Sequence, residues 1–125
     1  MSKLYDALYN AMLGSAIGDA LGVPAEFIDR KALELKPITD MVSGGIWNQP
    51  VGTWSDDTAM ALATMQAIRE NGMKVTQQTL IDIMDNFVDW YLYDEFAAGH
   101  VRFDIGNTCQ EAILNYYKGH NTRDC

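Results

Sequence analysis

The stretch TQQTLIDIMDNFVDWY, residues 76–91, carries the clearest structural signal in this chain of 125 residues. Thr76 has the hydroxyl that is typical of a helix N-cap, and Asp82, Asp85 and Asp89 fall on one side of the predicted helix. On the other side, apolar side chains recur at intervals of three and four, at Leu80, Ile83, Met84, Phe87, Val88 and Tyr91. This spacing predicts an amphipathic α-helix with one buried face.

Three more segments, residues 4–17, 55–71 and 105–118, show helical spacing. In the first of them the predicted buried face comprises Leu4, Ala7, Leu8, Ala11, Met12, Ser15 and Ala16. No segment alternates in the way that a half-buried strand does. We therefore predict an all-α fold, a helical bundle.

Glycine, proline and tryptophan mark the chain between these helices. Three glycines recur every four residues near the end of the first helix, at Gly14, Gly18 and Gly22. They predict either a flat strip that another backbone or a ligand approaches closely, or a frayed helix end. Pro24 ends this helix, because proline forces the preceding residue into extended geometry. Residues 36–53 predict a long loop, and Trp47 and Trp54 favour an ordered loop folded over a site.

Composition and charge limit the class of partner. The chain of 14.0 kDa is the size of one domain, residues 1–125, and its 17 acidic and 9 basic side chains give a net charge of −8. This negative charge argues against binding to nucleic acid. No run approaches the roughly 20 apolar residues of a membrane span. Cys109 and Cys125 lack the spacing of a zinc site or a disulfide framework, so we predict a cytoplasmic protein.

The sharpest local feature is GTWSDDT, residues 52–58, which places two adjacent carboxylates between two hydroxyls at a predicted helix start. The oxygens of Ser55, Asp56 and Asp57 suit a hard cation such as Mg²⁺, Mn²⁺ or Ca²⁺. The same residues are also typical of ordinary helix capping, in which carboxylates interact favourably with the helix dipole. The motif alone leaves both interpretations open.

Two further acids have apolar neighbours in the sequence. Glu26 follows Pro24 in a rigid turn, and Asp104 lies in FDIGNT, residues 103–108, ahead of the last predicted helix. Either acid suits general acid or base chemistry, although helix capping is the simpler role for Asp104. Backbone N–H groups at the start of that helix would form an anion site, at Gly106, Asn107 and Thr108.

Three stretches of the chain resemble, in order, the N-terminal signatures of the ADP-ribosylglycohydrolase family, which includes the dinitrogenase reductase activating glycohydrolases. They are GSAIGDALGVPAE at residues 14–26, GTWSDDTAM at residues 52–60 and FDIGNT at residues 103–108. The resemblance covers essentially the whole chain. It implies an all-helical fold and cleavage of the bond at the anomeric carbon of ADP-ribose.

The resemblance also implies a site with two Mg²⁺ or Mn²⁺ ions that bind the ribose hydroxyls. Ser55, Asp56 and Asp57 map onto metal ligands, with serine in place of the commoner threonine. Glu26 maps onto a metal-proximal or catalytic acid, and Asp104 maps onto a proposed base. The residues that would line the ADP-ribose cleft are Gly106, Asn107 and Thr108.

Two motifs from the second half of the family's sequences, Gly-Asn-Gly-x-x-Met-Arg and Asp-x-Asp-Thr, do not occur in the chain, and residues 121–125 carry no signal of a natural end. We interpret the chain as a fragment, a natural truncation or one half of a split protein. It is then either a hydrolase that forms homo-oligomers or needs a complementary chain, or an inactive module with a partial ADP-ribose or metal-binding surface. Uncovered aromatic side chains are expected to promote association, at Trp47, Trp54, Tyr116 and Tyr117.

Overall fold

A computed structural model describes residues 3–119 of the chain. These residues contain five α-helices, which are α1 Lys3–Gly22, α2 Arg30–Leu35, α3 Asp56–Glu70, α4 Gln77–Tyr93 and α5 Asn107–Gly119. Short 3₁₀ turns follow α1 at Val23–Ala25 and precede α5 at Ala98–His100. The described part of the chain has no strand, only an isolated bridge between Gly44 and Gln49. The predicted all-α fold is confirmed.

The chain divides into two compact units, of which the first ends at Thr58 and the second begins at Ala59. The boundary falls inside α3. The single domain over residues 1–125 stays a prediction. Across residues 3–119, no helix is both long and apolar enough to cross a lipid bilayer. Residues 121–125, on which the truncation and Cys125 interpretations depend, lie outside the described residues.

Helix α1 extends beyond its predicted end at Ile17 and continues to Gly22, so the alternative of a frayed end at the glycines is wrong. The helix ends at Gly22, two residues before Pro24, and Val23 lies in the 3₁₀ turn that follows rather than in the predicted extended geometry. Within residues 3–119, no neighbouring atom lies within 4 Å of a Cβ placed at Gly14, Gly18 or Gly22. The close backbone contact that the glycine strip predicts is therefore absent from the described residues.

The face of α1 predicted to be buried is largely exposed. Leu4 and Leu8 are 69% and 56% exposed, and the buried residue of this helix is Ala20 near its end. Four further apolar side chains at intervals of four are also exposed, at Tyr5, Tyr9, Leu13 and Ile17. We call these six exposed apolar side chains the α1 ridge. The prediction failed because helical spacing identifies an apolar face but not whether a neighbouring element covers it.

The second unit is built on contacts between α4 and α5. Trp90 on α4 and Ile113 on α5 are among its largest fully buried side chains. Thr76 caps α4 as predicted: its hydroxyl accepts from the Thr79 N–H, and the Thr79 hydroxyl accepts from the Thr76 N–H in return. This reciprocal pair satisfies two backbone donors at the helix start.

Two details of the predicted core are wrong. Leu80 is 43% exposed whereas its neighbour Thr79 is fully buried, so the buried face of α4 begins one residue before its apolar stripe. Tyr116 is 2% exposed rather than uncovered, and its hydroxyl donates to Asp85 Oδ1 over 2.7 Å. The other aromatic side chains of that prediction are partly exposed, namely Trp47, Trp54 and Tyr117.

A polar contact joins the end of α3 to the start of α4. Asn71 Nδ2 donates to Ala67 O over 2.9 Å and to Asp82 Oδ2 over 2.6 Å. Gln78 Nε2 donates to the other carboxylate oxygen, Asp82 Oδ1, over 2.7 Å. The amide of Asn71, followed by that of Gln78, lowers the pKa of Asp82 below its ordinary value, because both amides stabilise the charged form.

Replacing Asn71 with alanine should raise the pKa of Asp82 towards its ordinary value, because the larger of the two stabilising hydrogen bonds is removed. Since the folded pKa lies below the unfolded one, the contact stabilises the fold above the unfolded pKa, and this stabilisation is lost as the pH falls through the lowered pKa. An NMR titration of the Asp82 carboxyl carbon measures the shift. Met65→Ala, at an exposed position on α3, is the control, and an unchanged curve in Asn71→Ala contradicts the prediction.

Candidate functional site

The start of α3 is capped by a carboxylate from another helix. Asp19, on α1, accepts hydrogen bonds from the Ser55 N–H at 3.0 Å and from the Ser55 hydroxyl at 2.7 Å. It also accepts from the Thr58 N–H at 3.1 Å and from the Thr58 hydroxyl at 2.6 Å. Two backbone donors and two hydroxyl donors therefore converge on one side chain.

In ordinary capping, the Ser-Asp-Asp-Thr motif would supply the acceptor itself, whereas here the acceptor is Asp19. In an ordinary cap, the hydroxyl of the residue before the helix accepts from an N–H two or three residues further on. Here the Thr58 N–H donates to Asp19, and the Ser55 hydroxyl donates to the same carboxylate instead of accepting. The Thr58 N–H is therefore capped by Asp19, a residue of another helix.

Sequence reasoning missed Asp19, although it lies in the first of the three family-like stretches. That stretch was interpreted through its glycines, and the partners of Asp19 lie 36 and 39 residues further along the chain. The available signal was an isolated charge at the end of an uncharged run, since residues 7–18 contain no acidic or basic side chain. Such a carboxylate in a helix needs either solvent or polar partners.

The three predicted metal ligands lie together at the start of α3. Ser55 is 6% exposed, Asp56 is half-buried and Asp57 is exposed. Neighbouring helical side chains diverge by about 100° around the axis, so the two carboxylates leave the helix in different directions. Their oxygens are of the chemical type that Mg²⁺ and Mn²⁺ prefer. Among residues 3–119, no three His, Cys, Asp or Glu side chains are grouped closely enough to hold a metal ion. The donors therefore fit such a cation in type but do not complete a site in number.

Glu26 closes the turn after α1 and contacts the long loop that follows α2. Its carboxylate accepts a hydrogen bond from Trp47 Nε1. The Trp47 ring also meets Phe27 edge to face, with 6.5 Å between centroids. Gly45 allows this approach, because its φ is +67° and a Cβ there would lie 2.8 Å from the Cα of Pro24. The predicted loop is thus packed on the turn that carries Glu26.

Asp104 lies in the second unit, at the end of a segment with unusual backbone geometry. Between α4 and α5, φ is positive at Asp94, Phe96, Gly99, His100 and Asp104. Residues other than glycine rarely adopt this left-handed region, at a cost of roughly 1–3 kcal/mol each, and such residues cluster at functional sites. The half-buried Asp104 stands three residues before the first residue of α5.

Arg102 ties this segment to α4. Its N–H donates to Asp94 Oδ1 over 2.9 Å, and its Nε donates to Tyr91 O over 3.1 Å. The guanidinium carbon also lies 4.5 Å from the centroid of the Tyr91 ring, a cation–π contact. These contacts anchor the backbone two residues before Asp104, and sequence reasoning did not identify them.

The predicted substrate-binding residues are exposed and lie at the first two residues of α5 and the one before them, namely Gly106, Asn107 and Thr108. Asn107 lines a surface cavity of about 390 Å³ along α5 with Gln110, Glu111, Leu114, Asn115 and Lys118. Within the first unit, the structure brings Ser55 into contact with Asp19, and it joins Glu26 to Trp47. Asp56 and Asp57 directly follow Ser55. In the second unit Asp104 is near in sequence to the α5 start. The roles of these residues stay predictions.

The chain is similar to known proteins over most of its length. Residues 1–125 match the family model for ADP-ribosylglycohydrolase. The chain is 35% identical over 99 residues to the ADP-ribosylarginine hydrolase Tri1 of Serratia proteamaculans (strain 568), and 36% identical over 99 residues to the ADP-ribosylarginine hydrolase Tri1 of Pseudomonas putida (strain GB-1). Each match covers 79% of this chain and 25% of the relative, so the chain spans about a quarter of the length of these curated relatives. The resemblance inferred from the sequence is confirmed, and the chain belongs to the ADP-ribosylglycohydrolase family.

Proposed function

We propose that this chain supplies the N-terminal part of a site that removes ADP-ribose from a modified target by hydrolysis. The observation that carries the proposal is the start of α3, where Asp19 holds the turn that bears Asp56 and Asp57 through four donor groups. A family match over the whole chain supports the same class of reaction.

Ser55, Asp56 and Asp57 are the proposed ligands of Mg²⁺ or Mn²⁺, as one part of a two-ion site. Bound there, the ions would orient the ribose hydroxyls and lower the pKa of a bound water. Nowhere in residues 3–119 do three acidic, histidine or cysteine side chains lie close enough together to hold a metal ion. The remaining ligands are therefore proposed to come from a further polypeptide segment. With few protein ligands a cation keeps many waters and binds weakly.

Glu26 and Asp104 are the proposed acid and base groups. In the hydrolysis, the oxygen of water bonds to the anomeric carbon, the bond from that carbon to the leaving group breaks, and a proton passes from the water side to the leaving atom. The hydrogen bond from Trp47 fixes the Glu26 carboxylate, and Arg102 anchors the segment before Asp104. Backbone N–H groups at the start of α5 are proposed to bind the ADP-ribose phosphates, at Gly106, Asn107 and Thr108.

Arginine-linked ADP-ribose is the proposed substrate. Both named relatives are ADP-ribosylarginine hydrolases, and they are 35% and 36% identical to this chain. The bond to be broken would then join the anomeric carbon to a guanidinium nitrogen, and the products would be ADP-ribose and free arginine side chains.

A second candidate function is that of an inactive module with a partial ADP-ribose or metal-binding surface. It is favoured by the lack of any group of three acidic, histidine or cysteine side chains within residues 3–119. Turnover, as opposed to binding alone, separates this candidate from the hydrolase.

Association with a second polypeptide, either a second copy or a complementary chain, is proposed through the α1 ridge. Six large apolar side chains between Leu4 and Ile17 are more than 40% exposed. Exposed apolar side chains in such number on one helix are typical of interaction surfaces, since covering them removes apolar area from water.

The purified chain, combined with the polypeptide segment that completes the cation site and incubated with arginine-ADP-ribosylated protein and Mg²⁺, should release ADP-ribose, as measured by chromatography. Asp57→Ala should abolish the release, because one of the proposed cation ligands is lost, whereas Glu70→Ala at the other end of α3 should retain it. Binding of ADP-ribose without release would instead support the inactive module. A chain with neither binding nor turnover contradicts both candidates.

Light scattering of the purified chain should give the mass of a dimer or higher oligomer, because the α1 ridge is uncovered in the described residues. Leu8→Glu should shift the population towards monomer, since association would bury a charge in an apolar contact. Met65→Glu adds the same charge at an exposed apolar position on α3, outside the α1 ridge, and should leave the mass unchanged. A monomeric wild type at high concentration would count against association of copies.

A further inference from the structure

We propose that Asp19 is a positioning residue that sets the cation affinity of Ser55, Asp56 and Asp57 by accepting the hydrogen bond that the Ser55 hydroxyl donates. The inference rests on the cation site of the proposed function and adds a residue from another helix to it. Asp19 itself is not proposed to contact the cation.

The inference starts from the hydrogen-bonding capacity of the Ser55 hydroxyl. A serine hydroxyl has one hydrogen to donate and two lone pairs with which to accept or to bind a cation. In the structure the Ser55 hydroxyl donates to Asp19 Oδ1 over 2.7 Å. Because its hydrogen is committed to this carboxylate, the remaining capacity of the oxygen is that of an electron-pair donor. This is the state in which a hydroxyl binds Mg²⁺ or Mn²⁺.

The second step concerns how firmly this state is held. The Ser55 N–H donates to both carboxylate oxygens of Asp19, at 3.1 and 3.0 Å, so backbone and side chain of one residue share one acceptor group. Thr58 donates twice to Oδ2, which fixes the rotation of the carboxylate. Ser55 and Thr58 are only 6% and 4% exposed, so water has little access to replace these bonds. A partner that orients a ligand in this way typically changes metal affinity by about 10- to 100-fold.

Asp19→Asn tests the inference with little change in shape. Asparagine keeps one acceptor oxygen but replaces the other with a group that donates two hydrogens. The four donors of Ser55 and Thr58 then compete for one acceptor, and a hydroxyl that accepts from the new amide must turn its hydrogen elsewhere. We expect Mn²⁺ binding at residues 55–57 to weaken by about tenfold or more.

The measurement is a Mn²⁺ titration of the full chain labelled with ¹⁵N, followed by paramagnetic broadening of backbone amide resonances. This readout detects weak binding and requires no turnover. Each variant is measured below its own thermal unfolding transition, so that a loss of stability does not enter the affinity. The wild type should show broadening centred on residues 55–57.

Thr58→Val is the matched control. It removes one hydroxyl donor from the same carboxylate but leaves the hydrogen bonds of the Ser55 N–H and hydroxyl in place, so stability should fall while Mn²⁺ affinity stays within about twofold. Ser55→Ala should weaken Mn²⁺ binding as Asp19→Asn does. Because Asp19 is proposed to act through Ser55, the double variant should show the loss of one single variant and not the product of both losses.

Equal Mn²⁺ affinity of Asp19→Asn and the wild type would overturn the inference, as would multiplied losses in the double variant. If Asp19→Asn does not fold, Ser55→Ala and Thr58→Val decide the matter, because equal affinities in these two variants also overturn it. No broadening at residues 55–57 in the wild type is a different outcome. It rejects the proposed cation site itself, and the role of Asp19 with it.

Discussion

The carboxylate of Asp19 is the interaction on which the first unit depends. A helix start leaves as many as four backbone N–H groups without a partner in the helix. Hydrogen bonds to a charged acceptor contribute about 1.5–3 kcal/mol each, more than bonds between neutral groups. Ser55 and Thr58 are nearly buried, so their donors would be left unsatisfied without this carboxylate. Since most of α1 is exposed, polar contacts rather than extensive apolar packing determine where α1 meets the start of α3.

Much of the fold follows from local signals in the sequence. The start of α4 at Thr76 and the end of α3 before Asn71-Gly72 are both marked by the residues themselves, because capping and chain reversal involve neighbours within a few positions. The buried face of α1 was not predictable in this way. Periodicity marks an apolar surface, but burial depends on a partner element, and residues 3–119 leave Leu4 and Leu8 uncovered.

In the candidate site too, features set by neighbouring residues were predictable and contacts between distant residues were not. Ser55, Asp56 and Asp57 were identifiable because they are consecutive, and Glu26 because a rigid proline turn precedes it. The contact from Trp47 to Glu26 and the contacts from Arg102 to Tyr91 and Asp94 required the structure. So did Asp19, whose partners lie more than thirty residues away. Polar partners at such separations follow no spacing rule, since the fold alone decides which donors meet.

The uncovered apolar surface and the carboxylate that positions the candidate site belong to one helix. α1 carries the exposed ridge along its first four turns and Asp19 near its end, so whatever orders α1 also holds the acceptor that fixes the start of α3. A polypeptide that covered the ridge would stabilise the helix that positions Ser55, and it would thereby favour the arrangement proposed to bind a cation. Thermodynamic linkage makes this coupling reciprocal: a cation that binds only the ordered arrangement strengthens association by the same free energy. The largely exposed α1 thus connects the chain's apolar surface to its chemistry, and the connection runs through a single carboxylate.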